Sequence, residues 1–252
     1  MWNGQTVSVV FPCYNEEEGI GQAIRDFFAG GYVDEIVVVD NNSRDHSAEI
    51  VRATSARLVT ETQQGYGFAL RRGLQDATSD LIILAEPDGT FLGRDVLKLL
   101  VYSDDFEMVC GTRTTRELVW AEANMGIFLR LGNWLVAKML EFLFNGPSLS
   151  DCGCTLRLIR RSAAQRIQPY LTVGKSHFLP EMVILGLLSR TRIVEIPVNY
   201  RGRLGTSKIT GSFRTAWRVG WRMITLIWSY RIRSWLGRTP RFQRENDHGT
   251  HS

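Results

Sequence analysis

Three polar loops each follow a short apolar run, and their residue types suit a charged, hydroxyl-rich ligand. Glu86-Pro-Asp88-Gly-Thr places two carboxylates on one turn directly after the apolar run Leu81–Ala85. A hard divalent cation takes one or two carboxylates and fills its shell with phosphate oxygens. Such an ion would neutralise a departing diphosphate. The same letters also spell an ordinary Pro-Asp-Gly turn. Asp40-Asn-Asn-Ser-Arg-Asp45 is the second loop. A carboxylate there can accept from a base N–H or a ribose hydroxyl, and an asparagine amide both donates and accepts. Ser43 or Asp45 would also serve as a helix cap. The third loop, Pro12-Cys-Tyr-Asn-Glu-Glu-Glu-Gly, adds Tyr14, Asn15 and Glu16.

The elements that carry these loops alternate. Val7–Phe11, Glu35–Val39, Leu58–Thr60, Leu81–Ala85 and Phe106–Cys110 read as strands with two apolar faces, as in sheets covered on both sides. Glu18–Ala29, Ser47–Ala53, Tyr66–Ala77 and Arg94–Tyr102 read as the helices between them. Repeated βαβ units predict an open parallel sheet, with ligands beyond the carboxyl ends of its strands. After Gly111 the alternation breaks down. A long helical stretch covers Asn124–Asn145, strands are predicted at Thr155–Ile159 and Ile193–Tyr200 around a helix near Phe178–Leu188, and Phe213–Trp235 is helical again.

The three loops in this order resemble the amino-terminal half of the inverting GT-A glycosyltransferases of family 2, with P-x-Y-N-E, D-D/N-x-S-x-D and D-x-D motifs. Within that family the chain looks most like dolichyl-phosphate mannose and glucose synthases and their bacterial polyprenyl-phosphate relatives. Gln64-Gly-Tyr-Gly-Phe, Gly111-Thr-Arg113, Ser150-Asp-Cys-Gly-Cys-Thr-Leu-Arg157, Phe178-Leu-Pro-Glu181-Met and Arg203-Leu-Gly-Thr-Ser-Lys208 match further segments. The likeness runs over roughly residues 7 to 210. It implies a GT-A, Rossmann-like α/β fold with a mixed, mostly parallel sheet flanked by helices. Donor binding is then expected at Pro12, Tyr14, Asn15, Glu16, Asp40, Asn42, Gln64, Gly65, Glu86 and Asp88, with Mg²⁺ or Mn²⁺ on Glu86 and Asp88. Two positions depart from the pattern. Glu86 stands where the first aspartate of D-x-D is usual, and Asn41 where the phosphoglycosyl synthases carry a second aspartate.

The resemblance implies inversion by direct displacement, from a UDP- or GDP-linked hexose to a polyprenyl phosphate. A hydroxyl acceptor needs a general base, for which Asp151 or Glu181 would be available. A phosphate monoester, with a second pKa near ~6, needs instead a cationic cradle. Arg113, Arg130, Arg201, Arg203 and Lys208 are the candidates, and Asp88, Asp151 and Arg203 are expected to be catalytic. Asp151 has an alternative task, holding an arginine in place.

At 252 residues and 44% hydrophobic content the chain can bury one large core. Its net charge of +4 is unevenly spread, because no Asp or Glu occurs between Glu195 and Glu245 while eleven Lys and Arg do. Such a segment expects a polyanionic partner. Arg214, Arg218 and Arg222 line one face of the last helix, and Trp217, Trp221, Ile224 and Trp228 a neighbouring one. Tryptophan with arginine on one amphipathic helix predicts a segment lying in a membrane interface. Packing on the catalytic domain or on a partner is the competing assignment for these tryptophans. The run Met223–Trp228 falls far short of the ~20 residues a span needs. No nucleic acid is expected, since the aromatics follow a helix and not a sheet platform. The expected organisation is a catalytic domain over 1–210, an interfacial helix over 211–236 and a flexible tail over 237–252, on the cytoplasmic side of a membrane. Cys13, Cys110, Cys152 and Cys154 read as reduced core or loop residues. Two other functions fit less of the pattern: transfer to a glycan or small-molecule hydroxyl, and a non-catalytic nucleotide-sugar-binding subunit.

Overall fold

The computed structural model describes residues 1–120, 127–204, 213–240 and 242, with the backbone alone for 127–129 and 213–216. Seven strands, β1 (Val7–Cys13), β2 (Glu35–Asp40), β3 (Arg57–Thr60), β4 (Leu81–Leu84), β5 (Met108–Thr112), β6 (Arg157–Arg160) and β7 (Ile193–Pro197), form one sheet in the order β3-β2-β1-β4-β6-β5-β7. The first four are parallel neighbours, as the βαβ pattern predicts. β6 is antiparallel to both β4 and β5, and this makes the sheet mixed.

Among the described residues eight α-helices flank it: α1 (Ile20–Ala29), α2 (Ser47–Arg52), α3 (Tyr66–Asp76), α4 (Val96–Ser103), α5 (Ile127–Phe144), α6 (Arg161–Ile167), α7 (Phe178–Leu188) and α8 (Phe213–Trp235). α6 has no counterpart in the βαβ pattern, because it follows β6 after the alternation has broken down. Residues 124–126 of the expected long helix lie outside the described residues.

Alternate residues of each strand serve opposite cores. Val10, Val37, Val39, Ile82 and Leu84 pack beneath α3, α5 and α7. Val9, Phe11, Ile36, Val38 and Ile83 pack beneath α1 and α4. A fully buried Val, Ile or Phe contributes about 1.5–3 kcal/mol relative to its exposed state, so these two layers fix the strand ends that carry the polar loops. The inner stripe of α8 (Met223, Ile227 and Tyr230) joins the first core. Its tryptophans do not: Trp217, Trp221, Trp228 and Trp235 are 60%, 59%, 41% and 61% exposed. α5, packed beside it, likewise turns Leu131, Trp134, Leu135 and Phe142 outward. No described helix is long and apolar enough to cross a membrane.

Candidate active site

The loops after β1 and β2 are stitched together by side chains. Asn15 and Asn42 adopt left-handed backbone, φ 54° and 63°, which asparagine tolerates better than other non-glycine residues. Asn15 Oδ1 accepts from Arg44 N (2.7 Å), Asn15 N donates to Ser43 Oγ (3.0 Å) and Glu16 N to Ser47 Oγ (2.8 Å). Asp45 accepts from Ser47 N at the start of α2 (3.0 Å) and Ser43 meets Asn15, but the N-cap is His46 with no side-chain cap bond, so neither expected residue caps the helix. Asp40, nearly buried at the end of β2, accepts from Ser43 N at 3.3 Å. Pro12 is buried within β1, and Tyr14 is half-buried just beyond it.

Asn41, one of the two departures from the family pattern, ties the loop after β2 to residues 61–65. Its Nδ2 donates to Glu61 O and Gln63 O, both at 2.8 Å, and its Oδ1 accepts from Gly65 N (2.7 Å) and Gln64 Nε2 (3.3 Å). Asn42 Nδ2 reaches Thr62 O (2.9 Å) and Gln64 Oε1 (3.3 Å). An aspartate at position 41 would face two carbonyls with no proton to give. Glycines close this side. A Cβ on Gly65 or Gly67 would stand 2.2 Å from Gly174 O or 2.4 Å from Val173 O. Two N–H groups in the first turn of α3, those of Gly67 and Phe68, donate to Gly174 O.

On the turn after β4 both Asp88 oxygens have protein partners. Oδ1 accepts from Thr90 N (3.0 Å) and Thr90 Oγ1 (2.6 Å), and Oδ2 accepts from Arg203 Nη1 at 2.9 Å. The other arm of Arg203 donates to Glu16, so one guanidinium joins the loops after β1 and β4. The backbone beyond β7 is fastened to the same turn by Arg201 N to Thr90 O (2.9 Å) and Leu204 N to Asp88 O (2.8 Å). Glu86 lies in a triangle of oxygens. Tyr66 Oη is 3.1 Å from Glu86 Oε1, Thr155 Oγ1 is 2.8 Å from it, and the two hydroxyls are 2.6 Å apart. Two hydroxyl protons serve three contacts when Glu86 is ionised, and its own proton completes the ring when it is not. Burial, and then the Asp88 charge, push its carboxyl up to about 7.

The cationic side is built on β5, β7 and the segment before β6. Arg113 Nε and Nη2 grip Asp151 bidentately at 2.7 and 3.0 Å, and Asp151 also accepts from Arg113 N and Gly153 N. Although Asp151 is 2% exposed and burial acts to raise its pKa, the Arg113 charge and these hydrogen bonds hold it below the usual carboxylate range. It is therefore a poor proton acceptor and an effective holder of Arg113. The Arg113 guanidinium lies 5.1 Å from the Tyr200 ring, and Arg201 4.9 Å from that of Trp120. Burial pushes the Tyr200 phenol up, with Arg113 acting to lower it and Glu86 and Asp88 to raise it.

Glu181, the other candidate base, accepts from Thr172 N, Thr172 Oγ1, Val173 N and Tyr230 Oη and is fully buried, tying α7 to α8. Arg130 sits in the first turn of α5, and no described contact ties it to Asp88 or Arg113. Lys208 lies outside the described residues. All four cysteines are buried, and burial pushes the Cys13 thiol up to about 12, so none is a nucleophile.

Sequence reasoning passed over Tyr66, Thr155 and Tyr200. The first two lie in matched segments, but Thr155 meets Glu86 only because β6 lies antiparallel beside β4. The register that pairs Leu84 with Arg157 faces Glu86 with Thr155 two residues on.

The sequence model described as Glycosyl transferase family 2 matches residues 8–168. An uncharacterised glycosyltransferase of Mycobacterium tuberculosis is 30% identical over 214 residues, covering 84% of this chain and 93% of its own. A dolichyl-phosphate hexose transferase of Haloferax volcanii is 29% identical over 206 residues, 81% of this chain and 86% of that one. Among solved structures, glucosyl-3-phosphoglycerate synthase from Mycobacterium tuberculosis, in complex with Mn²⁺, UDP and glucosyl-3-phosphoglycerate, superposes with a TM-score of 0.65 at 18% identity. It covers 94% of this chain and 82% of that one, and the likeness is one of fold. The family's pattern begins in β1, passes through all three stitched loops and ends beyond the strand that brings Thr155 to Glu86: the chain belongs to glycosyl transferase family 2, and is a glycosyltransferase of the GT-A fold.

Proposed function

We propose that the enzyme moves a hexose from a UDP- or GDP-sugar to a polyprenyl phosphate, with inversion, at the cytosolic face of a membrane. The observation that carries this reading is the pairing of a bidentate-held arginine with carboxylates that have no proton-accepting role left. Asp151 and Glu181 are both occupied by strong donors, which disfavours a hydroxyl acceptor that must be deprotonated. A phosphate dianion needs only orientation and charge. Arg113, fixed by Asp151, and Arg201, on Trp120, would supply both, with Arg130 and Lys208 as further candidates. The Haloferax relative bears the name of a dolichyl-phosphate hexose transferase. The outward tryptophans of α8 favour an interfacial site of action.

The residues fit a hard divalent cation, Mg²⁺ or Mn²⁺. Asp88 and Glu86 are oxygen donors on one turn, and the described residues offer no group of three or more His, Cys, Asp or Glu that could hold a metal without help. That suits an ion completed by diphosphate oxygens. When bound, it would neutralise the leaving nucleotide diphosphate. The loops around Asp40, Asn42, Gln64 and Gly65 would hold the nucleoside.

The test is transfer from UDP-glucose, GDP-mannose and UDP-GlcNAc to undecaprenyl and dolichyl phosphate, with Mg²⁺ or Mn²⁺. One donor should yield a sugar phospholipid, and Asp88→Asn should abolish its formation with the fold intact. Binding of donors without transfer to any lipid phosphate would overturn the acceptor assignment. Full activity of Asp88→Asn would remove the metal assignment.

A further inference from the structure

Both oxygens of Asp88 already have donors, and the one on Oδ2 is a cation. Asp88 is 2% exposed, so solvent screens little of what happens there. A divalent ion on Oδ2 would sit beside a guanidinium on the same atom, two like charges in a poorly screened place. The guanidinium is also the salt-bridge partner of Glu16, so its two arms bridge two carboxylates at once. Its Nε is buried with no hydrogen-bond partner, which leaves one donor in reserve. The backbone on either side of Arg203 is pinned to the turn through Arg201 N and Leu204 N. The side chain can therefore turn without the segment leaving.

We propose that Arg203 is the built-in cation of the donor site, so that divalent metal gains Asp88 only together with a nucleotide diphosphate that draws the guanidinium away. A diphosphate offers the planar fork bidentate, fully charged acceptors, and it contributes the negative charge that lets metal and arginine share one site. Arg203 thus sets the order of loading: metal alone is refused, and metal with nucleotide is accepted. This rests on the metal reading of Asp88, and the test separates the two.

Mn²⁺ is titrated into wild type, Arg203→Gln, Arg203→Lys and Asp88→Asn, with free Mn²⁺ read by electron paramagnetic resonance, with and without UDP or GDP. Without nucleotide, Arg203→Gln should bind Mn²⁺ at least about tenfold more tightly than wild type, whereas Arg203→Lys, which keeps the charge, should stay near wild type. The nucleotide should tighten Mn²⁺ binding in wild type by a larger factor than in Arg203→Gln, since coupling between two ligands is reciprocal. Arg203→Met, which keeps the apolar stem, repeats the test should Arg203→Gln fail to fold. If nucleotide-dependent Mn²⁺ binding needs Asp88 but the uncharged variants bind Mn²⁺ alone no more tightly than wild type, the ordering role is wrong and the metal reading stands. If no form binds Mn²⁺ with either nucleotide, both are wrong.

Discussion

Glu86 and Asn41 each differ from the family's usual letter, and each is built into its surroundings by hydrogen bonds that depend on the difference. The longer glutamate reaches the Tyr66 and Thr155 hydroxyls. Because its carboxyl titrates near 7 in the folded protein against an ordinary 4.5, the folded state holds the proton more tightly than the unfolded one. Stability from this group therefore falls as pH rises from about 4.5 to about 7. Glu86→Gln should flatten that decline in thermal unfolding measured across the window, and an unchanged slope would show that another group titrates there. Asn41→Asp should cost about 2 kcal/mol, the order expected for leaving carbonyls unpaired, and should raise the KM for the donor more than it lowers kcat. A variant with wild-type stability and donor KM would mean that the 61–65 loop is held by other contacts. Neither environment was legible in the sequence. The departures themselves were visible, but both sets of partners come from elements about 20 to 70 residues away.

At the scale of elements, the start of α3 shows local preference overruled by contact. Alanine exceeds glycine in helix propensity by about 1 kcal/mol, so Gly67→Ala would stabilise an isolated helix. Here its Cβ would stand 2.4 Å from Val173 O and 2.8 Å from Gly174 C, both backbone atoms. The substitution is expected to lose about 2 kcal/mol or more and to weaken nucleotide binding, read by urea unfolding and by calorimetric titration with UDP and GDP. A neutral or stabilised Gly67→Ala would mean that the 173–175 segment yields freely. The parallel half of the sheet was legible because each βαβ unit writes its own period into the sequence. The antiparallel insertion of β6 was not, since four residues reading Arg-Leu-Ile-Arg carry no mark of direction.

Across the whole molecule, the helix that carries the exposed tryptophans, α8, lies within the acid-free segment from 196 to 244. The helical spacing of the tryptophans was plain in the sequence. Which way they face was not, because Met223, Ile227 and Tyr230 offer a rival apolar stripe, and that one enters the core. Trp221, Trp228 and Trp235 should therefore tolerate joint replacement by serine with little loss of folding stability. The same change should cut binding to vesicles containing anionic lipid at least tenfold, in a sedimentation assay, and added salt should weaken what remains. Undiminished vesicle binding would send the face to a protein partner instead.

The placement of β6 also bears on how the chain is made. β4 pairs with β1 on one side, but its other neighbour is not synthesised until residue 160. While the ribosome adds the intervening stretch, Leu-Ile-Ile-Leu stands as a bare edge with every side chain apolar, the sort of template on which strands of separate molecules join. A chain halted near residue 155 should pellet, and one carried through α8 should not, in a synthesis reaction without chaperones. Equal solubility of the two would show that the nascent edge is covered by something else. The strand that brings Thr155 to Glu86 is thus also the one that covers this edge of β4.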